Sequence, residues 1–111
     1  MKAFVTGGTG FVGSHLVEHV LTLPECEEVR VLVRNKEKWL KGLDYTPVKS
    51  TLENLEPIKK ELQGVDVLIH GAAILHAPSY SDFFKANVEA TKNLIELAVE
   101  SRISNIIILS S

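Results

Sequence analysis

The N-terminal segment passes from an apolar strand through a glycine-rich loop into a helix, and this order constrains the fold more than any other feature. Glycines at Gly7, Gly10 and Gly13 follow the strand pattern of residues 2–6 in the spacing G-x-x-G-x-x-G. We expect Gly7 to turn the chain sharply, Gly10 to let the backbone approach a phosphate, and Gly13 to let the next helix pack against the strand. Residues 11–22 have helical apolar spacing, which places the N–H groups of a helix N-terminus beside the loop. The segment therefore predicts a pyrophosphate site.

Strand and helix patterns alternate along the whole chain. Strands are predicted at 2–6, 29–33, 45–49, 65–70 and 105–110, and helices at 11–22, 34–40, from 51 or 54 to 62, and 81–100. Because right-handed crossovers join successive parallel strands, this alternation predicts an α/β fold, a Rossmann-type doubly wound parallel sheet of about five strands in the order 3-2-1-4-5. Ligands of such sheets bind beyond the carboxyl ends of the strands, where the glycine loop and Arg34 fall.

Composition restricts the class of protein. With 111 residues the chain is expected to form one domain, 1–111. A formal net charge of −2 favours neither a nucleic acid nor a membrane surface as a partner, and no apolar run reaches the roughly 20 residues that span a bilayer. Cys26 is the sole cysteine, which excludes an internal disulfide and favours a reducing, cytoplasmic environment.

Four motifs occur in a fixed order that is typical of one superfamily. They are residues 6–17 (TGGTGFVGSHLV), 66–73 (DVLIHGAA), 87–94 (NVEATKNL) and 106–111 (IIILSS). On these residues the chain resembles the extended short-chain dehydrogenase/reductase superfamily, also called the NAD-dependent epimerase/dehydratase family. The segments match its cofactor loop, its fourth strand with an Ala-Ala turn, its N-V-x-G-T-x-N-L helix and its fifth strand ending in a serine pair. Arg34 favours the branch that resembles dihydroflavonol-4-reductases.

The resemblance implies roles for individual residues. Those implied to contact the dinucleotide are Gly7, Gly10, Phe11, Val12 and Gly13 at the pyrophosphate, with Ala72 and Ala73 along the adenosine and pyrophosphate half. Ser111 is implied to be the catalytic serine that hydrogen-bonds the substrate carbonyl, with Ser110 as the alternative after a slip of one residue. Asn87 is implied to tie its helix to the neighbouring strand ends.

The sequence departs from the superfamily pattern in two places. Residues 49–52 (KSTL) carry no carboxylate where many members have an aspartate near the adenine. The Tyr-x-x-x-Lys pair that exchanges protons with the substrate belongs on a helix after the fifth strand, and the chain ends at Ser111. Tyr45 and Lys49 have the right spacing but lie in the third predicted strand. We therefore expect this chain to be the N-terminal part of a longer enzyme, truncated before the Tyr/Lys helix.

The residues after the second strand predict which dinucleotide binds. NAD sites carry Asp or Glu at this position to accept from the ribose 2′-OH, whereas this chain has Arg34 followed by Lys36 and Lys38. A guanidinium attracts a 2′-phosphate and can stack on adenine, so NADP is the favoured cofactor and NAD the alternative. In the plainer interpretation, Arg34 is a solvated charge after a strand.

Several functions agree with these features. The favoured one is an NADP-dependent oxidoreductase that transfers a hydride between nicotinamide and a small carbonyl or alcohol substrate, with reduction favoured. A nucleotide-sugar epimerase or dehydratase is the first alternative, and a non-catalytic NAD(P)-binding sensor is the second. A Tyr-x-x-x-Lys pair within roughly 20 to 40 residues beyond position 111 would favour an enzyme over the sensor.

Other candidate residues have plainer structural interpretations. His15 and His19 lie four residues apart, but no third ligand is apparent, so a solvated helix face is favoured and no metal site is predicted. His70 is expected to make a structural hydrogen bond rather than to act in catalysis. Trp39 and Leu40 are expected to cover the sheet edge together, with an adenine platform at Trp39 as the alternative.

The helix predicted from Ser81 to Glu100 is more apolar than one contact with a sheet requires. The resemblance implies that this helix packs against its mate in a homodimer. Alternatively, it packs beneath the C-terminal part of a longer protein. We also expect the fifth strand to be an exposed apolar edge, so that the isolated chain self-associates or is marginally stable.

Overall fold

The computed structural model describes residues 1–71 and 79–109 and contains five strands and three α-helices within them. In chain order these are β1 (Lys2–Thr6), α1 (Phe11–Leu21), β2 (Glu28–Val33), β3 (Thr46–Lys49), α2 (Glu56–Glu61), β4 (Val67–His70), α3 (Tyr80–Glu100) and β5 (Asn105–Ile108), with a 3₁₀ turn at Lys38–Leu40. The predicted elements are confirmed in type and order, except that the helix predicted over 34–40 is reduced to the 3₁₀ turn.

The five strands form one parallel sheet in the order β3-β2-β1-β4-β5. β1 lies at its centre, where Val5 is opposite Val31 of β2 on one side and Ile69 of β4 on the other. The Rossmann-type topology and the predicted strand order are thereby confirmed. All carboxyl ends lie at one edge, so the chain segments that follow β1, β2 and β4 leave the sheet side by side.

Both faces of the sheet are buried, as in other doubly wound folds. Phe4 of β1 packs into a cluster with Leu68 of β4 and Leu94 of α3, whereas its neighbour Val5 packs into a second cluster with Val17 of α1. The alternation follows from the period of two along a strand. It places α1 against one face and α3 against the other, and each crossover helix covers apolar surface that would otherwise be exposed.

Local hydrogen bonds fix the ends of the elements. α3 begins after Ser79, whose Oγ accepts a hydrogen bond from the Asp82 N–H at 3.1 Å, as an N-cap does. β4 begins at Val67 rather than at Val65, because the Val65 N–H donates to the carbonyl of Leu62 in the turn that follows α2. The strand is therefore two residues shorter than its apolar run.

One side of α3 and the adjoining β5 leave apolar side chains exposed. The exposed residues are Phe84, Val88 and Val99 on α3 and Ile107, Ile108 and Leu109 in or after β5. This exposure agrees with the expected apolar edge. No helix within the described residues has the length and hydropathy to cross a membrane.

Candidate functional site

The turn between β1 and α1 is built from glycines that the fold itself requires. Gly7 follows Thr6 with φ +81°, a left-handed conformation that disfavours a side chain. A Cβ on Gly13 would lie 2.0 Å from the carbonyl oxygen of Gly7, so α1 begins in direct contact with the end of β1. Gly8, to which the sequence assigned no role, is also constrained, since its Cβ would lie 2.6 Å from Cγ1 of the buried Val31 side chain. The turn at Gly7 and the close packing at Gly13 are confirmed.

The first turn of α1 offers backbone donors to a ligand. Gly10 is the N-cap residue, and no described side chain caps this end of the helix. The Ser14 N–H donates to the Gly10 carbonyl at 2.9 Å, so the amides of Phe11, Val12 and Gly13 precede the first intrahelical hydrogen bond. The first turn carries no acidic side chain. The free amides and the positive end of the helix dipole therefore favour an anion here.

Gly10 differs from the other glycines of the loop. Its backbone is extended, with φ −77° and ψ 170°, a conformation open to any residue. Among the described residues, a Cβ there would approach only the Gly7 carbonyl oxygen, at an ordinary contact distance of 3.5 Å. The described part of the chain would therefore accept a side chain at Gly10, and it leaves room for a ligand beside the helix N-terminus.

Positive charge without carboxylate partners follows β2. Arg34 and Lys36 are exposed, and no ion pair joins either to a carboxylate in residues 1–71 and 79–109. Arg30, earlier in the same strand, contrasts with them, because its Nη2 lies 3.0 Å from Oε1 of Glu28. The hydrogen bond from Arg30 lowers the pKa of the Glu28 carboxyl group most, and the hydrogen bond from Thr46 lowers it further. The cations at the carboxyl edge are thus available to a ligand, whereas Arg30 is used in the fold.

A buried histidine joins β1, β4 and α3 behind the glycine loop. Nδ1 of His70 lies 2.6 Å from Oγ1 of Thr6, and Nε2 lies 3.0 Å from Oγ1 of Thr91. The Gly71 N–H donates to the Thr6 carbonyl at 3.0 Å. Burial lowers the pKa of His70. The imidazole is therefore neutral at pH 7 and holds the residue that precedes Gly7, which is the structural hydrogen bonding expected for it.

Trp39 and Leu40 differ in burial, and their joint cover of the sheet edge stays a prediction. Leu40 is fully buried in the core on the α1 face, whereas Trp39 is 62% exposed. The indole lies against Phe11, with ring centroids 5.6 Å apart and planes at 80°. His15 contacts the same phenyl ring at 4.6 Å. Within the described ranges, no group of three His, Cys, Asp or Glu side chains is placed to hold a metal.

The remaining predicted site residues fall outside the described residues. These are Ala72 and Ala73, expected along the dinucleotide, and Ser110 and Ser111, expected near the substrate. Their roles stay predictions. Asn87 is described and is partly buried on α3, one turn before Thr91, and its role as a tie to the strand ends also stays a prediction.

Several known proteins are similar to this chain in sequence and in fold. The model of the 3-beta hydroxysteroid dehydrogenase/isomerase family matches residues 4–111. A 4-hydroxy-2-methyl-3-oxo-4-farnesyl-3,4-dihydroquinoline-1-oxide ketoreductase of Stigmatella aurantiaca is 34% identical over 114 residues and covers 100% of the chain. A putative dihydroflavonol 4-reductase of Synechocystis is 33% identical over 112 residues and covers 97% of the chain.

A solved structure extends the comparison to bound ligands. The dTDP-glucose 4,6-dehydratase DesIV of Streptomyces venezuelae, a double mutant with NAD and DAU bound, matches 96% of the chain at 29% identity and a TM-score of 0.78. The present chain spans 34% and 32% of the two curated relatives and 38% of this structure. It thus corresponds to about a third of each of these proteins.

Proposed function

The chain belongs to the 3-beta hydroxysteroid dehydrogenase/isomerase family, within the extended short-chain dehydrogenase/reductase superfamily, and from this premise we propose that residues 1–111 form the cofactor-binding part of an NADP-dependent oxidoreductase. The proposed reaction is hydride transfer between nicotinamide and a carbonyl or alcohol substrate, in the direction of reduction. One observation carries the proposal: a helix N-terminus and an arginine, neither of which has a capping or ion-pair side chain among the described residues, lie at the same carboxyl edge of the sheet.

The helix N-terminus fits a pyrophosphate. The amides of Phe11, Val12 and Gly13 donate, and the absence of a side chain at Gly10 leaves room for the phosphoryl oxygens that a Cβ would exclude. His70 keeps this surface in place through Thr6. The chain therefore binds the pyrophosphate mainly through backbone amides. These donors recognise the negative charge and do not distinguish between NAD and NADP.

The segment after β2 supports NADP over NAD. Arg34 and Lys36 are exposed cations without acidic partners among the described residues. A 2′-phosphate adds negative charge that a guanidinium binds through two N–H groups, whereas the 2′-OH of NAD calls for a carboxylate acceptor. We assign the 2′-phosphate to Arg34, with support from Lys36.

The chemistry divides between cofactor and chain. When bound, the nicotinamide supplies or accepts the hydride. We propose that Ala72 and Ala73 lie along the dinucleotide and that Ser111 hydrogen-bonds the substrate carbonyl, with Ser110 as the alternative. The hydroxyl of that serine would orient the carbonyl and stabilise the negative charge that develops on its oxygen.

A second candidate function is a nucleotide-sugar dehydratase or epimerase. The similarity to DesIV, which was solved with NAD bound, favours it, because the two sequences are 29% identical over 96% of this chain. A sensor that binds NAD(P) without catalysis is a third candidate. We further propose a cytoplasmic protein that forms a homodimer through α3, whose exposed Phe84 and Val88 would be buried by a second copy.

Cofactor preference tests the proposal directly. The affinities of the chain for NADPH and NADH are measured by the fluorescence of the reduced nicotinamide, first for the wild type and then for Arg34→Asp. We expect NADPH to bind about 10- to 150-fold more tightly than NADH, since a hydrogen bond to a charged group contributes about 1.5–3 kcal/mol. Arg34→Asp reverses the preference.

Arg102→Asp provides a matched control. Arg102 is an exposed arginine before β5, at the opposite edge of the sheet from Arg34. Arg102→Asp changes the net charge by the same amount as Arg34→Asp but does so away from the proposed 2′-phosphate site. We therefore expect this variant to keep the cofactor preference of the wild type. Equal affinity of the wild type for NADPH and NADH would contradict the role of Arg34, and failure to bind either dinucleotide would contradict the proposed function.

A further inference from the structure

Two exposed aromatic rings stand side by side next to the proposed cofactor site. Phe11 is 59% exposed and belongs to the first turn of α1, whose amides face the pyrophosphate position. Trp39 is 62% exposed and meets the phenyl ring edge to face at 5.6 Å. Trp39 therefore lies beside the helix N-terminus, on the side from which the chain leaves β2.

The segment that carries Trp39 is firmly anchored on both sides. Leu40 is fully buried, and its N–H donates to the carbonyl of Glu37 at 2.9 Å. The Tyr45 hydroxyl donates to the Glu37 carboxylate, and burial together with this hydrogen bond raises the pKa of Tyr45 to about 12. Lys38 has φ +50°, a left-handed conformation that costs energy for a residue with a side chain. The fold thus holds Trp39 at the surface although Leu40 already fills the core.

The charged residues that flank Trp39 in sequence indicate which kind of ligand would bind beside it. Arg34, Lys36, Lys38 and Lys41 are exposed cations within eight residues of sequence. The one carboxylate among them, on Glu37, accepts from Tyr45 and makes no ion pair within the described ranges. An exposed aromatic ring flanked in sequence by cations that make no ion pair with a described residue suits a phosphorylated nucleoside, which combines a flat base with negative charge.

We propose that Trp39 is a specificity residue of the cofactor site, with its indole forming the outer wall of the pocket for the 2′-phosphoadenosine end of the dinucleotide. The inference rests on the proposed function and extends it to a residue beyond the glycine loop and Arg34. The indole shields the ribose and its 2′-phosphate from water, which strengthens the attraction between that phosphate and Arg34. The chain has a single tryptophan, so its fluorescence reports on this wall alone.

The probe is adenosine 2′,5′-bisphosphate, which carries the relevant end of NADP and lacks nicotinamide. Tryptophan emission excited at 295 nm is followed during titration of the wild type, while calorimetry gives the dissociation constant independently. We expect a saturable change in emission with the same dissociation constant as the calorimetric one. We expect Trp39→Ala to weaken binding of the probe about three- to tenfold and Trp39→Phe to weaken it less, because a phenyl ring retains part of the wall.

Phe84→Ala is the control variant. It removes an aromatic side chain of similar exposure, 60%, from α3, which covers the opposite face of the sheet from α1, and should leave affinity for the probe unchanged. Since Trp39 is largely exposed, its variants should melt close to the wild type, which circular dichroism checks. Trp39→Phe provides a second test if the alanine variant melts lower.

The outcomes separate this inference from the proposed function. Wild-type protein that binds neither NADPH nor adenosine 2′,5′-bisphosphate overturns both. Wild-type protein that binds both ligands by calorimetry, with unchanged tryptophan emission and unchanged affinity in Trp39→Ala, overturns the role of Trp39 and leaves the function standing. A change in emission without loss of affinity in Trp39→Ala also overturns that role, since the ring would then sense the ligand without contacting it.

Discussion

Gly13→Ala tests whether α1 is pressed against β1 as tightly as the structure indicates. The new methyl group would lie 2.0 Å from the carbonyl oxygen of Gly7, 2.8 Å from its carbonyl carbon and 3.0 Å from Cα of Gly8. All three atoms belong to the backbone, so no side-chain rotation relieves the clash. The start of the helix must move away from the strand.

The cost follows from two opposing terms. Overpacking a filled site costs about 1–3 kcal/mol, and a clash with backbone belongs at the upper end of that range. Alanine in place of glycine within a helix restores about 1 kcal/mol of helix propensity. We therefore expect Gly13→Ala to lower the free energy of unfolding by about 2 kcal/mol. Urea denaturation followed by far-ultraviolet circular dichroism measures this value.

Gly10→Ala is the matched variant, because it adds the same methyl group three residues earlier where the fold has room. Its nearest contact is 3.5 Å, and alanine is a poorer N-cap than glycine, so we expect a loss of at most about 1 kcal/mol. Its affinity for NADPH should fall at least about tenfold, because the methyl group occupies the approach to the helix amides. Gly13→Ala should lose stability and Gly10→Ala mainly affinity.

Two results would refute this reasoning. A Gly13→Ala protein that unfolds at the wild-type urea concentration would mean that α1 can shift without cost, so the contact between helix and strand would not be a tight one. A Gly10→Ala protein that keeps wild-type affinity for NADPH would mean that the pyrophosphate does not approach Gly10. Because stability and affinity are measured separately, the packing of α1 and the approach of the pyrophosphate to Gly10 are tested independently.

Two further predictions concern stability. Because burial lowers the pKa of His70, the unfolded chain binds its proton more readily, and stability should fall as pH drops from 7.5 to 5.5 through the unfolded-state pKa, by at most about 1.4 kcal/mol per pH unit. His70→Gln should lose this component, and an unchanged pH slope in its urea midpoints would count against the neutral imidazole. Leu94→Ala, at a fully buried position of α3, should cost about 2–5 kcal/mol, whereas Val99→Ala on the exposed side should cost less than about 0.5 kcal/mol; equal thermal shifts would contradict the packing of α3.

The strand order and the N-terminal turn were predictable because they depend on local signals. Alternating strand and helix patterns leave few topologies once crossovers must be right-handed, and the observed order is the expected one. Gly7 and Gly13 were recognised from spacing, since the strand before and the helix after them define the turn. Element ends were less predictable: Val65 continues an apolar run yet belongs to a turn, because its N–H donates to Leu62.

Some features that depend on contacts between residues distant in sequence were not predicted. Gly8 is required because Val31, on the neighbouring strand, occupies the space of its Cβ, and no local pattern reports that neighbour. Trp39 and Leu40 are adjacent apolar residues, and only the fold decides that Leu40 enters the core while Trp39 meets Phe11. Both residues have large side chains that a core can accept, and the anchored 3₁₀ turn decides which of them enters it.

The glycine loop shows why a fingerprint can identify a site without explaining it. Gly7, Gly8 and Gly13 are needed by the chain, for a left-handed turn or for close packing, and would be needed with no ligand present. Within the described ranges Gly10 is under neither constraint, so its role in ligand binding can be tested without a large effect on folding. Spacing predicted separate roles for Gly7, Gly10 and Gly13, and the geometry adds Gly8 to the positions that the fold constrains. Substitutions at Gly10 should therefore separate ligand binding from folding, which substitutions at the other three positions cannot do.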